Sequence, residues 1–239
     1  MLARGGKQRI PRPEGVRPGD AAPWSGLSPD ERRFSLADVR AACSTLAAPS
    51  GTSGLEVAGT TLPAAVLVPI FEEDGEARLI LTKRPETMPT HQGQIAFPGG
   101  KLDPVHDPDL CAAALREAYE EIGLSPSSVE IVAELDSIVT VSQLFTVTPF
   151  VGLIDRRPAL SPHATEVVAV FDVAISELLH PDTFREERWD GPSFREGQVQ
   201  TPGLDRAVHF YELPGETMWG ATARILTRFL VHLVAQRLR

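Results

Sequence analysis

The 239-residue chain has only two cysteines, Cys43 and Cys111, too few for a disulfide framework. Cys111 falls on the apolar side of a helical segment and reads as a buried structural thiol. No apolar run approaches the ~20 residues a helix needs to span a bilayer. The first residues include arginines but no apolar segment of the kind a secretory leader carries, so cytoplasm is the expected compartment. Positive charge is also in short supply. Lys and Arg number 23 against 32 Asp and Glu, a formal charge of −9, which argues against a general nucleic-acid surface. A phosphate-bearing ligand must therefore be met by metal or by local cations. The chain has no internal repeat and no GxxxxGK[ST] phosphate loop. With 42% hydrophobic and 23% charged residues, its composition suits a globular protein of one domain plus an extension.

The most informative stretch is FPGGKLDPVHDPDLCAAALREAYEEIGL, residues 97 to 124. It sets a glycine turn ahead of a helix that carries Arg116, Glu117, Glu120 and Glu121. A helix turns ~100° per residue, so Glu117, Glu120 and Glu121 project together within one turn. Like charges at this spacing repel, costing an isolated helix roughly 0.2–0.5 kcal/mol per pair. A cation relieves that repulsion, and oxygen-only ligands favour hard divalent ions such as Mg2+ or Mn2+. Leu115, Tyr119 and Ile122 form an apolar set suited to burial on the other face. A bare ExxEE reads as a solvated acidic face. Here Gly99-Gly100 precede it, Gly123 stands where a glycine ends a helix, and Arg116 has the planar fork that holds a carboxylate or phosphate.

This stretch resembles the Nudix box, the signature of hydrolases that split nucleoside diphosphates linked to another group. Its RExxEExG core is complete from Arg116 to Gly123. Fifteen residues, Lys101 to Leu115, separate Gly100 from Arg116, which is longer than the common spacing. Asp103, His106, Asp107 and Asp109 occupy that loop, with no glutamate between glycine and arginine. A lengthened, Asp-bearing loop is similar to that of the coenzyme A pyrophosphatase subfamily. That subfamily's upstream pattern is matched by Leu81-Thr82-Lys83-Arg84, His91, Gly93 and Phe97-Pro98-Gly99-Gly100. Pro85 and Pro89 depart from it, the second replacing an arginine. A lost arginine removes a charge-assisted contact worth about 1.5–3 kcal/mol. Val147 to Gly152, Glu166-Val167 and Met218 to Leu226 extend the likeness, which covers about residues 36 to 239.

The resemblance implies an α/β fold, a Nudix-type α/β/α sandwich with a mixed β-sheet. It also implies a small-molecule nucleotide substrate, Mg2+ or Mn2+ as cofactor, and no nucleic-acid or membrane partner. A homodimer is open, since Nudix enzymes are often dimers. Coenzyme A or a derivative would yield adenosine 3′,5′-bisphosphate and 4′-phosphopantetheine. Pro85 and Pro89 keep a second reading open, the same chemistry on ADP-ribose, a dinucleotide or a nucleoside triphosphate. A non-catalytic nucleotide sensor is a third, disfavoured because all three carboxylates and Arg116 are present.

Residues 1–33, rich in Pro, Gly and Arg, are expected as a flexible N-terminal arm, with the hydrolase domain over 34–239. Ser35 is placed to cap a helix over 35–47. Strands are expected at 64–71, 77–84 and 94–97, the first two joined by a hairpin turn through Glu72-Glu73-Asp74-Gly75. Further strands are expected at 129–141, 144–154 and 165–173. A helix over 174–179, a hairpin over 194–213 and a helix over 217–238 complete the reading.

In the site, Glu117, Glu120 and Glu121 are the candidate metal ligands, and either Glu120 or Glu166 accepts the proton of the attacking water. Arg116 is expected to orient the carboxylates. Candidate substrate contacts are Arg84, otherwise a strand-end salt bridge; the amides of Gly99 and Gly100, otherwise a purely structural turn; and His91. Phe97 and Trp219 are expected in the core.

Overall fold

The computed structural model describes residues 3–8, 10–52, 54–55, 61–87, 92–140, 144–190 and 206–238. The main sheet is eight-stranded and mixed. Its centre is β2 (Leu62–Glu73), antiparallel to β3 (Glu76–Lys83) and parallel to β8 (Phe145–Ile154). β3 also pairs with β4 (Ile95–Ala96) and β9 (Ala169–Ala174). β5 (Gly99–Lys101) lies on β2, and β6 (Glu130–Glu134) and β7 (Ile138–Val139) lie on β8. Because β2 is covered on both faces, it reads as a near-continuous apolar run and not as an alternation.

One face of this sheet carries α2 (Leu110–Ile122), which buries Leu110, Ala113, Ala114, Ala118 and Ile122 against Leu67, Phe71 and Phe150. The opposite face carries α1 (Leu36–Cys43) and the terminal helix α4 (Gly220–Arg237). Two sheet-facing helical layers and a mixed sheet give the expected α/β/α arrangement. Ser35 caps α1 in a reciprocal capping box with Asp38. Asp74 (φ 51°) and Gly75 (φ 70°) make the two left-handed positions of the β2–β3 hairpin.

Several expectations are corrected. A second, four-stranded sheet is present, in the order β1 (Gly15–Pro18), β10 (Phe184–Asp190), β11 (Arg206–Leu213), β12 (Glu216–Trp219). The strand β12 occupies the start of the expected terminal helix; Gly220, at φ 70°, turns the chain from strand into α4. The expected 129–141 strand is divided into β6 and β7, with an irregular register on β8 between Ile131 and Ala133. The expected strand at 165–173 begins only at Ala169, and the helix over 174–179 is the single turn α3 (Ile175–Leu178). Residues 194–205 of the expected 194–213 hairpin lie outside the described residues.

The first 33 residues, read as a flexible arm, also carry structure. β1 pairs antiparallel with β10, and Trp24 is only 2% exposed, packed edge-on to Phe184 with ring centroids 5.2 Å apart. The sequence hid this because the strand is four residues long and its partner lies about 170 positions away. Replacing Trp24 with Ala should therefore cost roughly 3–5 kcal/mol of stability, read from a urea transition. A change below ~1 kcal/mol would show that the segment does not share the core.

Candidate active site

Two glycines bring the signature helix to the sheet. Gly99 takes φ 154°, and a Cβ there would stand 2.3 Å from the Ala65 carbonyl oxygen. At Gly100 a Cβ would come within 2.4 Å of the Glu117 carboxyl carbon. Gly99 must lack a side chain for β5 to lie on β2, and at Gly100 a side chain would displace the Glu117 carboxylate from its place beside the turn. The helix itself is fixed at both ends. The Asp109 side chain accepts from the Ala112 amide at 2.8 Å, and Gly123 closes the helix at φ 70° with its amide on the Ala118 and Tyr119 carbonyls.

The carboxylates then fall in distinct environments. Glu121 is 5% exposed and accepts from the Gly99 amide at 3.2 Å. Burial pushes its carboxyl up to about 7, reinforced by the charges of Glu117 and Glu166 and opposed by the Gly99 amide and Arg84. Among the described residues no cation forms an ion pair with it. Glu117 is half-buried, and burial also raises its pKa, against the pull of Arg116. Glu120 is exposed and pairs with Arg116 at 2.8 Å. Tyr119, expected on the buried face, is 58% exposed, while Ile122 is fully buried. Position 119 lies at the edge of the apolar stripe, where a tyrosine keeps its hydroxyl in water.

Arg116 organises the cluster. It donates to Asp107 through Nε at 2.8 Å and Nη2 at 2.9 Å, to Glu120 through Nη1, and to the Lys101 carbonyl at 3.2 Å. Its Nη2 also stands 3.0 Å from Glu117. The hydrogen bonds with Asp107 head the causes that raise the Arg116 pKa further and hold the Asp107 carboxyl below the usual range. Sequence reasoning found Asp107 in the lengthened loop but gave it no role. The signal was present: it is the loop acid that can fold back onto Arg116, and the Asp103 amide fixes it at 2.8 Å.

Glu166 stands on the loop between β8 and β9. That loop is tied to the end of α2 by the Ser161 amide on the Ile122 carbonyl and the His163 amide on the Glu121 carbonyl. The tie brings Glu166 close enough for its charge to act on both Glu117 and Glu121. Arg84 directly follows β3, and its charge reaches Glu121. Its Nε is buried without a hydrogen-bond partner, and among the described residues it forms no salt bridge. Phe97 is in the core, while Trp219 is half-buried and stacks on Phe210 at 6.5 Å. His91 and Pro89 lie outside the described residues. Cys43 is buried and Cys111 half-buried; burial pushes both thiols up to about 11, which makes them poor nucleophiles.

The donor set fits a hard divalent cation. Glu121 is a buried carboxyl lacking a cationic partner, Glu117 lies beside it, and the ligand atoms are all oxygen. Among the described residues no three acidic, histidine or cysteine side chains converge on one point, since Arg116 draws Glu120 and Glu117 to itself. No described helix is long and apolar enough to cross a membrane.

The family model described as the NUDIX domain matches residues 61–196, and the chain belongs to the Nudix family. It is 41% identical over 172 residues to Nudix hydrolase 22, chloroplastic, of Arabidopsis thaliana, covering 69% of this chain and 53% of that protein. It is 38% identical over 148 residues to the peroxisomal coenzyme A diphosphatase NUDT7 of Mus musculus, covering 62% and 58% respectively. The uncharacterized Nudix hydrolase NudL of Enterobacter sp. (strain 638) is 38% identical over 172 residues, covering 71% and 82%. The chain thus spans little more than half the length of the first two relatives. A Nudix hydrolase from M. smegmatis, RenU, overlays with a TM-score of 0.40 at 21% identity, over 47% of this chain and 70% of that one.

Burial of Glu121 has a consequence for stability. Its folded pKa lies above the unfolded value, so the folded chain holds the extra proton between about pH 4.5 and 7. Stability from this group is present below that window and is lost as pH rises through it. Glu121→Gln should therefore raise the unfolding free energy of the metal-free protein at pH 8, read from a urea transition, by on the order of 1–3 kcal/mol, with the gain vanishing near pH 4.5. A destabilised variant at pH 8 would contradict this placement. Asp107→Ala should leave the chain folded but lower kcat by at least about tenfold, since a positioning contact is lost; Asp107→Glu should recover part of it. Unchanged kcat in Asp107→Ala would remove Asp107 from the site.

Proposed function

We propose that the chain hydrolyses the diphosphate linkage of a nucleoside diphosphate derivative with the help of Mg2+ or Mn2+, and that coenzyme A or a thioester derivative is the substrate. The observation that carries this reading is the buried, cation-free Glu121 beside Glu117, next to the glycine turn and within reach of the Arg84 charge. Members of the Nudix family are pyrophosphohydrolases, and divalent metal is their general cofactor. Support for coenzyme A comes from the upstream Leu81 to Arg84 motif and from likeness to a coenzyme A diphosphatase. Pro85 and Pro89 support the second reading, another nucleotide as substrate.

Two linked phosphates repel a nucleophile, and the leaving oxygen gathers charge as the bond breaks. Glu117, Glu121 and Glu120 would hold a divalent ion, which would supply charge neutralisation and make water easier to deprotonate. Arg116 holds Glu120 and Glu117 in place through its own anchorage on Asp107. Arg84, whose Nε is without a hydrogen-bond partner, meets a phosphate oxygen. Glu166, 3.9 Å from the His163 ring nitrogen, takes the proton of the attacking water, since Arg116 engages the alternative, Glu120. The amide of Gly99 is used by Glu121, so the glycine turn shapes the carboxylates as well as the path beside them.

A panel of coenzyme A, ADP-ribose, dinucleotides and nucleoside triphosphates, assayed for kcat/KM with each metal, separates the two substrate readings. The proposal expects coenzyme A to lead; hydrolysis of another nucleotide without coenzyme A would transfer the assignment. Glu166→Gln should lower kcat roughly 100- to 10,000-fold with little change in KM. A near-normal kcat in Glu166→Gln together with a lost one in Glu120→Gln would move the base to Glu120.

A further inference from the structure

The side chain of Glu166 leaves a turn that is fastened on both sides. Before it, the Ser161 amide donates to the Ile122 carbonyl at 2.8 Å, at the end of α2. After it, Val167 is buried in the core beneath α2, and the Val168 amide donates at 2.9 Å to the carbonyl of Lys83, the last residue of β3. The turn therefore hangs between the helix that carries Glu117 and Glu121 and the strand that leads into Arg84.

The fastening passes through His163. Its amide donates to the Glu121 carbonyl, and its own carbonyl accepts from the Glu166 and Val167 amides, each at 2.9 Å. One residue thus joins the backbone of the buried acid to that of the candidate base. The ring is committed in the same direction. Its Nδ1 stands 2.9 Å from the Thr165 hydroxyl oxygen, a hydrogen bond, and 3.9 Å from Glu166 Oε1, too far for one. Packing does not account for the ring, because the side chain is 58% exposed. Among the described residues no arginine or lysine pairs with Glu166, so this ring is the one basic group beside its carboxylate. An exposed glutamate on rotatable bonds visits many directions, and only a few of them aim its oxygen at one water.

We propose that His163 is a positioning residue, whose ring, held by Thr165, fixes the direction of the Glu166 carboxylate relative to Glu121. The proposal rests on the reading of Glu166 as the acceptor of the water proton. In this role His163 touches no substrate and takes no proton. Its ring limits where the carboxylate can swing, while its backbone keeps the turn on Glu121. A misplacement of about 1 Å at a reacting group costs on the order of 100-fold in rate, so a neighbour at this distance matters to the reaction.

Kinetics in two backgrounds test this, on the member of the nucleotide panel that the full chain cuts fastest with Mg2+. In the otherwise wild-type chain, His163→Ala should lower kcat roughly 10- to 100-fold with KM nearly unchanged. His163→Asn, which keeps a polar atom near the place of Nδ1, should recover most of that loss. Thr165→Val should reproduce part of it, and Thr165→Ser should not. In the Glu166→Gln background His163→Ala should lower kcat by no more than about twofold further, because no carboxylate is left to aim. The urea midpoint and the Mn2+ affinity of His163→Ala should match wild type, since its backbone bonds remain. An unchanged kcat in His163→Ala, an equal loss in both backgrounds, or a fall in Mn2+ affinity would overturn the proposal and leave Glu166 as the base. A near-normal kcat in Glu166→Gln, or no panel member cut by wild type, would remove the underlying reading and the proposal with it.

Discussion

The site depends on one unfavourable arrangement, an ionisable carboxyl at Glu121 buried under a glycine strand with, among the described residues, a single amide as hydrogen-bond partner. Everything around it serves to hold that arrangement. Gly99 and Gly100 allow β5 to approach, the capped ends of α2 fix its length, and the loop from Ser161 to Val167 is tied to its last turn. Arg116 does not neutralise Glu121. It binds Asp107, Glu117 and Glu120, so the buried charge is left for something else to satisfy. Chains keep such uncompensated groups where chemistry uses them.

The same constraint divides the labour among the acids. Asp107 has its pKa depressed by Arg116 and serves as an anchor, Glu117 and Glu121 have theirs raised by burial, and Glu166 waits on a loop at the edge. Four carboxyls near one helix thus acquire different tasks from burial and from their distance to one arginine. Arg84 stands outside that network just past β3, its Nε without a hydrogen-bond partner, where the motif that departs from the coenzyme A pattern begins.

Much of this was legible in the sequence where the cause is local. Helical spacing gave the shared face of Glu117 and Glu121, Gly123 the helix end, Ser35 the α1 cap, and Asp74-Gly75 the hairpin. What was missed depends on distant partners. β1 has no period of its own and exists because β10 receives it, and β12 replaces the first turn of the expected helix because it pairs with β11. Asp107 was visible as an acid, but only the folded loop shows that it faces Arg116. Tyr119 was misplaced because periodicity fixes a face and not its margin.

The central claim is that Glu121 is the acceptor for a divalent ion. Titrating Mn2+ into the full chain while following the free ion by electron paramagnetic resonance tests it directly, without reference to substrate. Wild type should bind, and Glu121→Gln, still folded, should bind roughly tenfold or more weakly. Equal affinity in the two proteins would contradict the account.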